Sequence, residues 1–450
     1  MKNIPLSLFL CFFLGSAFGQ SAILDAYIQE GLRNNLVLKQ QNLDIQKSME
    51  AVRQAKALFY PTLSFNASYT LAAGGRQSSL PIGDLLNPVY STLNQITQTS
   101  AFPQVENQVI QFLPNNFQET KLKFAYPLYN SDLKFNRQIK ELLVQSKEAQ
   151  RNAYEQELRY EMTGAYLQYL KALEAEKIWY SAQTVYAELK RFNESLVRNN
   201  VATRDIVASA DYELSKVDNE LFQLKSNQNT ARAYFNFLIN KDLQADVIVD
   251  TLLLKATAQV YNGPELVQQA TQKRQEFAAL QAGMDASSTA VKLQEANKRL
   301  PDAFIGGETG FQGFGYNWFN GTQAFVLAQV GITYDIYDGG LQKSKIQEAK
   351  IERQKLQAQY DNTQQQIALQ ITQSLNALDA ARNGWRSAQN GQYSAEVAYK
   401  IIANKYKANQ VLLLELLDAQ NRVTTSKLQV LLAWNDVLIK EAELRKAAGL

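Results

Sequence analysis

Between Thr62 and Leu71 apolar and polar residues alternate without a break. Leu63, Phe65, Ala67, Tyr69 and Leu71 fall on one side, and Thr62, Ser64, Asn66, Ser68 and Thr70 on the other. A period of two marks a strand whose faces meet different surroundings. Residues 119–129 repeat the pattern, with Leu122, Phe124 and Tyr126 on one side. From about 132 to 198 the period changes. Proline is absent, and Leu158, Met162, Ala165, Tyr169 and Ala172 recur at spacings of four and three, the heptad-like seam of a long helix. About 67 residues at 1.5 Å each make a rod of roughly 100 Å, more than a compact globule holds. Asn199-Asn200 ends the rod, since asparagine tolerates the left-handed cap, and a return helix spans about 203–240. Upstream, residues 21–60 read as helix interrupted near Asn34-Asn35. Gly74 to Phe117 reads as loop, with Pro81, Pro88, Pro103 and Pro114 and few charges.

The same order then recurs. Residues 241–262 form a linker with two β-like runs, Val247 to Val249 and Leu252 to Leu254. Pro264 suits a first helical turn, and that helix is expected to run to Arg299. Strands are predicted at 302–316 and 323–337, joined by an aromatic turn with Trp318 and Phe319. Gly339-Gly340 opens a second rod, about 341–407, with Ile367, Ile371, Ser374, Leu378, Ala381, Trp385 and Ala388 on its seam. Asn409 breaks it, and a last helix ends near Ala448-Gly449. Tyr126-Pro127-Leu128-Tyr129-Asn130 is echoed by Tyr334-Asp335-Ile336-Tyr337-Asp338, and Asp205-Ile206-Val207 by Glu415-Leu416-Leu417. The fold class is therefore mainly α with membrane-type β. Residues 20–240 and 263–450 are two copies of one helix–strand–strand–long helix–return helix unit.

Composition narrows the compartment. Residues 1–19 read as a secretory signal: Lys2, an apolar stretch from Leu6 to Phe13, then Ala17-Phe18-Gly19. The single cysteine, Cys11, falls inside it, so the mature chain is expected to carry no thiol, disulfide or lipid anchor. Histidine is absent, which removes Ser-His-Asp triads and most zinc and copper sites. The net charge is +3, and loss of Lys2 leaves +2, with nothing that points to nucleic acid. No Gly-x-x-x-x-Gly-Lys phosphate loop is present, so any energy comes from a partner. No acid–base pair sits in a recognisable cleft motif; the expectation is a protein that is not an enzyme and has no cofactor. No mature segment is long and apolar enough for a transmembrane helix, yet barrel strands are short and only half apolar.

Four membrane-type strands leave two open edges, and unpaired backbone groups in a bilayer cost several kcal/mol each. The smallest closed barrels have about eight strands, so copies of the chain must pool theirs. Two chains supply about eight strands and a filled interior; three supply about twelve and a channel. The rods have apolar seams and broad Gln/Lys/Glu faces, as suits helices around a water-filled tube.

At this point the chain resembles the TolC-like outer-membrane factor family, the exit ducts of tripartite efflux pumps and type I secretion systems. The resemblance rests on Leu266-Val-Gln-Gln-Ala270 followed by Arg274 and Glu276, on Tyr334 to Gly340, and on Glu415-Leu-Leu-Asp-Ala419, in order and in duplicate. It implies a homotrimer with a twelve-stranded barrel in the outer membrane of a Gram-negative bacterium. It also implies a long α-helical barrel in the periplasm and an equatorial belt around the 241–262 linker. The implied partners are a periplasmic adaptor protein, an inner-membrane pump of the RND or ABC type, and outer-membrane lipid.

The family's acidic entrance maps onto Glu415 and Asp418, its gate tyrosine onto Tyr406, and the acid of the first repeat onto Asp205. The family's gate arginine is replaced by Val411 here, so apolar packing of Val411 to Leu414 is the expected substitute for a salt-bridge lock. A plainer reading stands beside this one: Asp205 and Glu415 lie in first helical turns, where a carboxylate complements the helix dipole by about 0.3–1 kcal/mol. The adaptor-docking tips map onto Asn200, Val201, Ala202 and Thr203 and onto Asn409, Gln410, Val411 and Leu412; the plainer reading is two capped turns. Phe65, Tyr69, Phe124, Tyr126, Phe311, Phe325 and Tyr334 are candidates for the aromatic belt of the barrel. Alternatives to an efflux duct are a type I protein secretion or metal-export channel and a secreted coiled-coil scaffold. The alternating strands and the duplication argue against the scaffold.

Overall fold

The computed structural model describes residues 22–113, 115–250, 253, 260–316 and 323–450. The signal segment and the Trp318–Phe319 turn lie outside these residues, as do Leu252 and Leu254. The chain divides into two interleaved units: a strand unit of residues 50–140 and 288–350, and a helical unit of residues 1–49, 141–287 and 351–450.

In the strand unit, β1 (Thr62–Thr70), β4 (Phe117–Tyr129), β5 (Asp302–Phe314) and β6 (Ala324–Thr333) form one antiparallel sheet in the order β1-β4-β5-β6. Directly paired residues share a face. The registers Phe65↔Leu122, Leu122↔Thr309 and Thr309↔Val326 therefore put Leu63, Phe65, Leu122, Phe124, Phe311 and Val326 on one side. Asn66↔Lys121 and Lys123↔Glu308 put the charges on the other. There Lys121 pairs with Glu119 at 2.7 Å and with Glu308 at 2.8 Å. Every residue of β1 is exposed, and Val326, Val330 and Ile332 on β6 are 83%, 69% and 72% exposed. A soluble sheet buries one such face; among the described residues much of this face is exposed, and β1 and β6 each keep one unpaired edge.

Two sequence expectations change here. Phe325 pairs with Gly310, which pairs with Lys121, so its ring belongs to the charged face and not to the aromatic belt. Strand four stops at Thr333, and Tyr334 to Asp338 is irregular. The chain leaves the sheet so that Asp338 can open the second rod: its carboxylate accepts the N–H groups of Gln342 (2.7 Å) and Gly340 (2.9 Å). Those donors, Gln342 foremost, hold the Asp338 carboxyl below the usual carboxylate range.

Gly74 to Phe117 is not the loop that its prolines suggest. This segment contains β2 (Gln77–Leu80) and β3 (Gln108–Gln111), paired antiparallel, and between them α3 (Ile82–Thr97). The helix accommodates Pro88 seven residues in. Three asparagines fasten α3 to the returning chain. Asn87 exchanges two hydrogen bonds with the backbone of Val105 (2.8 and 3.0 Å), and Asn94 does the same with Phe102 (2.8 and 3.1 Å). Asn107 accepts from Asp84 N–H at 3.0 Å and donates to its carboxylate at 2.9 Å. Gly83 is required at the closest approach, where a Cβ would stand 2.3 Å from the Val105 carbonyl.

The helical unit is built twice around two cores. Leu158, Met162 and Ala165 of α4 (Ser131–Arg198) pack with Phe235 and Leu238 of α5 (Asp205–Leu238), and with Leu24, Tyr27 and Ile28 of α1 (Ala22–Asn34). Ile367, Ile371 and Leu378 of α8 (Leu341–Lys407) pack with Trp434, Val437 and Leu444 of α9 (Leu413–Ala448), and with Leu266 and Ala270 of α6 (Gly263–Lys273). Each fully buried side chain of this kind contributes about 1.5–3 kcal/mol. The seam residues named from the sequence are the ones buried, with Tyr169, Trp385 and Ala388 only partly so.

The helix expected from Pro264 to Arg299 is broken at Arg274, between α6 and α7 (Gln275–Arg299). The break repeats one in the first half, where Asn35 separates α1 from α2 (Leu36–Ala57). Both breaks cap the end of a return helix. Asn35 donates to Leu238 C=O at 3.3 Å, and Arg274 donates to Ala447 C=O at 3.4 Å while bridging Gln370 and Glu276. Partial burial pushes the Glu276 carboxyl up, but the Arg274 hydrogen bond, its own backbone N–H and the charges of Arg274 and Lys446 together outweigh that and keep it low. Val247 to Val249 is not a strand. Tyrosine hydroxyls take the place of a partner strand: Tyr27 accepts Ile248 N–H at 2.9 Å, and Tyr166 donates to Ile248 C=O at 3.0 Å and accepts Asp250 N–H at 2.8 Å.

Candidate functional site at the helical hairpin tips

Each long helix ends on the same turn. Val201 N–H reaches Leu196 C=O (2.9 Å) and Asn200 N–H reaches Val197 C=O (3.1 Å), with Asn200 at φ +57°. Gln410 N–H reaches Lys405 C=O (2.9 Å) and Asn409 N–H reaches Tyr406 C=O (3.0 Å), with Asn409 at φ +54°. This is the Schellman arrangement, in which an asparagine takes the left-handed position and the last carbonyls are satisfied. Beyond the turns, Val201 is 56% and Leu412 71% exposed, while Ala202 and Val411 are half-buried; Thr203 and Gln410 are exposed.

Above the tips a third core holds Tyr186 of α4, Val217 of α5, Tyr406 of α8, and Leu413, Leu416 and Leu417 of α9, with Ile206 and Val411 against it. Two tyrosine–asparagine bonds tie the hairpins together through it. Tyr406 OH donates to Asn193 Oδ1 at 2.8 Å, and Asn193 Nδ2 donates to Ile206 C=O at 3.2 Å. Tyr186 OH donates to Asn421 Oδ1 at 2.7 Å. Burial pushes both phenols above the ordinary tyrosine range.

The expected acids do not share this interior. Asp205, Glu415 and Asp418 are all exposed. Asp205 accepts the Thr203 hydroxyl, and Glu415 accepts the Leu412 N–H at 3.5 Å, half of a capping box. Asp418 pairs with Arg422, one helical turn on, at 2.9 Å. The structure thus brings Tyr406, Val411 and the α9 leucines together and leaves the three acids apart on the surface. The expected apolar substitute at Val411 to Leu414 is half realised: Val411 and Leu413 join the core, whereas Leu412 and Leu414 project outward. Sequence reasoning missed Asn193 and Asn421. Asn193 was detectable as a polar residue on the inward face of α4, two turns before the tip. Among the described residues, no group of His, Cys, Asp or Glu is placed to hold a metal ion.

Residues 266–450 match the model of the outer membrane efflux protein family. Over 120 residues the chain is 26% identical to the outer membrane efflux protein BepC of Brucella suis, a match that spans 26% of that protein's length. A membrane protein from Pseudomonas aeruginosa shares the fold with a TM-score of 0.75 at 19% identity, over 95% of this chain and 93% of its own. The outer membrane protein VceC of Vibrio cholerae does so with a TM-score of 0.73 at 17% identity, over 95% and 96%. Residues 266–450 are thus similar to the outer membrane efflux protein family, and the chain as a whole shares the fold of these two solved membrane proteins.

Proposed function

We propose that the protein is the outer-membrane exit duct of a tripartite efflux system. Three copies pool their four strands into one closed barrel, and their helices line a passage through the periplasm. The observation that carries this reading is the sheet: one face is apolar and exposed, the other carries the Lys121–Glu119–Glu308 ion pairs, and both edges are open. Lipid fits the first face and an aqueous lumen the second, and closure with neighbouring copies removes the edges.

Conduction is passive, and an inner-membrane pump of the RND or ABC type with its periplasmic adaptor supplies energy and selection. The adaptor docks on the two tips, where Val201 and Leu412 stand exposed beside rigid asparagine turns. The core around Tyr406 holds the entrance narrow, and Asp205, Glu415 and Asp418, tripled by the assembly, attract cations to it.

In a strain lacking its own duct but holding a matching pump and adaptor, the chain restores resistance to the pump's substrates. Val201→Glu with Leu412→Glu abolishes that resistance while leaving the trimer in the outer membrane. Unchanged resistance in the double variant overturns the docking assignment.

A further inference from the structure

The helix α3 sits in the connection between β1 and β4, at the ends of those strands away from α2 and α4. One side of it is fully engaged: Gly83, Asn87 and Asn94 lock against Val105 and Phe102. The other side presents an apolar stripe left exposed among the described residues. Leu85, Val89 and Ile96 follow one another at helical spacing and are 70%, 52% and 74% exposed. Because the asparagine clamps fix the helix, the stripe is displayed on a firm support and has not collapsed onto its own chain.

What covers it is indicated by charge. From residue 77 to 105 the only charged side chain is Asp84, and Asn107 already engages it. Helices that rest on an anionic leaflet are commonly held there by Lys and Arg; residues 77–105 carry neither. An uncharged stripe meets its own copy without repulsion, and an exposed apolar patch of this kind marks an interaction site. We propose that the α3 stripes of neighbouring copies pack against one another across the mouth of the barrel, forming an outer lid. The proposal rests on the trimeric assembly above, which gathers three β1–β4 connections around one opening.

The chain's single cysteine is Cys11, in the signal segment, so one introduced cysteine reports on the lid alone. In purified trimers reconstituted in vesicles, Val89→Cys forms a covalent dimer under mild oxidation, and Glu106→Cys, outside the stripe, does not. Oxidation of Val89→Cys lowers single-channel conductance at least twofold, and reductant restores it. Intact trimers in which Leu85→Cys, Val89→Cys and Ile96→Cys all stay uncrosslinked overturn the lid. Quenching of a fluorophore on Val89→Cys by lipid-borne quenchers assigns the stripe to lipid and overturns it too. A wild-type protein that is not trimeric overturns instead the assembly on which the lid depends.

Discussion

The phenol of Tyr406, on the second long helix, donates a 2.8 Å hydrogen bond to Asn193, on the first, and Asn193 passes the link to Ile206 C=O on the return helix. Three helices are joined at one buried polar point, and Asn193 has no exposure to water. Tyr406→Phe leaves Asn193 Oδ1 without that donor, a loss of about 1–3 kcal/mol confined to the tips. Limited trypsin digestion in detergent reads this as faster cleavage at Lys405 and Lys407, with the strand unit unaffected. Cleavage at the wild-type rate contradicts the linking role.

The same phenol gives a pH dependence of known sign. Burial raises its folded pKa above the unfolded value of about 10. The hydrogen bond is therefore fully present below about pH 10 and is lost as pH rises through the folded value. Tip cleavage, assayed with an alkaline-tolerant protease, stays flat to about pH 9 and climbs above pH 10. Tyr186 and Tyr399 are raised by burial as well. Tyr406→Phe isolates this phenol's share: its tips start out looser, and the alkaline rise is smaller.

The asparagine turns are predicted to be replaceable by glycine and by little else. Asn200→Gly and Asn409→Gly keep the left-handed geometry. Asn200→Val and Asn409→Val place a β-branched residue at φ above +50° and cost about 1–2 kcal/mol each. Circular dichroism melts of the four variants rank them, with the valine pair below the glycine pair.

The exposed acids divide stability from conduction. Asp418 and Arg422 are 59% and 73% exposed, and such an i,i+4 pair is worth about 0.3–0.5 kcal/mol. Glu415→Gln with Asp418→Asn leaves the melting temperature nearly unchanged and weakens block of the channel by multivalent cations. Unaltered block removes the acids from the passage and leaves Glu415 as a helix cap.

The parts of the fold that repeat a strong period were legible from the sequence. The second rod runs over residues 341–407 as its seam implies, and the first differs by one residue, because buried positions at four-three spacing mark a helix wherever the partner lies. What escaped was local chemistry that a period does not carry. Pro88 and few charges suggested a loop, yet Asn87, Asn94 and Asn107 make backbone-like bonds that hold a helix there. Arg274 is no helix breaker by type, but the duplication held the hint, since Asn35 breaks the equivalent helix in the first copy. At the tips, Tyr406 was found by resemblance, whereas its partner Asn193 needed the second hairpin in place to be seen.

The central claim is that copies of this chain close one barrel from a sheet left open in each. The mass of the complex extracted from outer membranes tests it most directly, measured by native mass spectrometry after salt and alkaline washes. The account predicts that detergent alone releases the protein, as three copies that stay together until heated. A monomer, or a protein freed by salt without detergent, would contradict it.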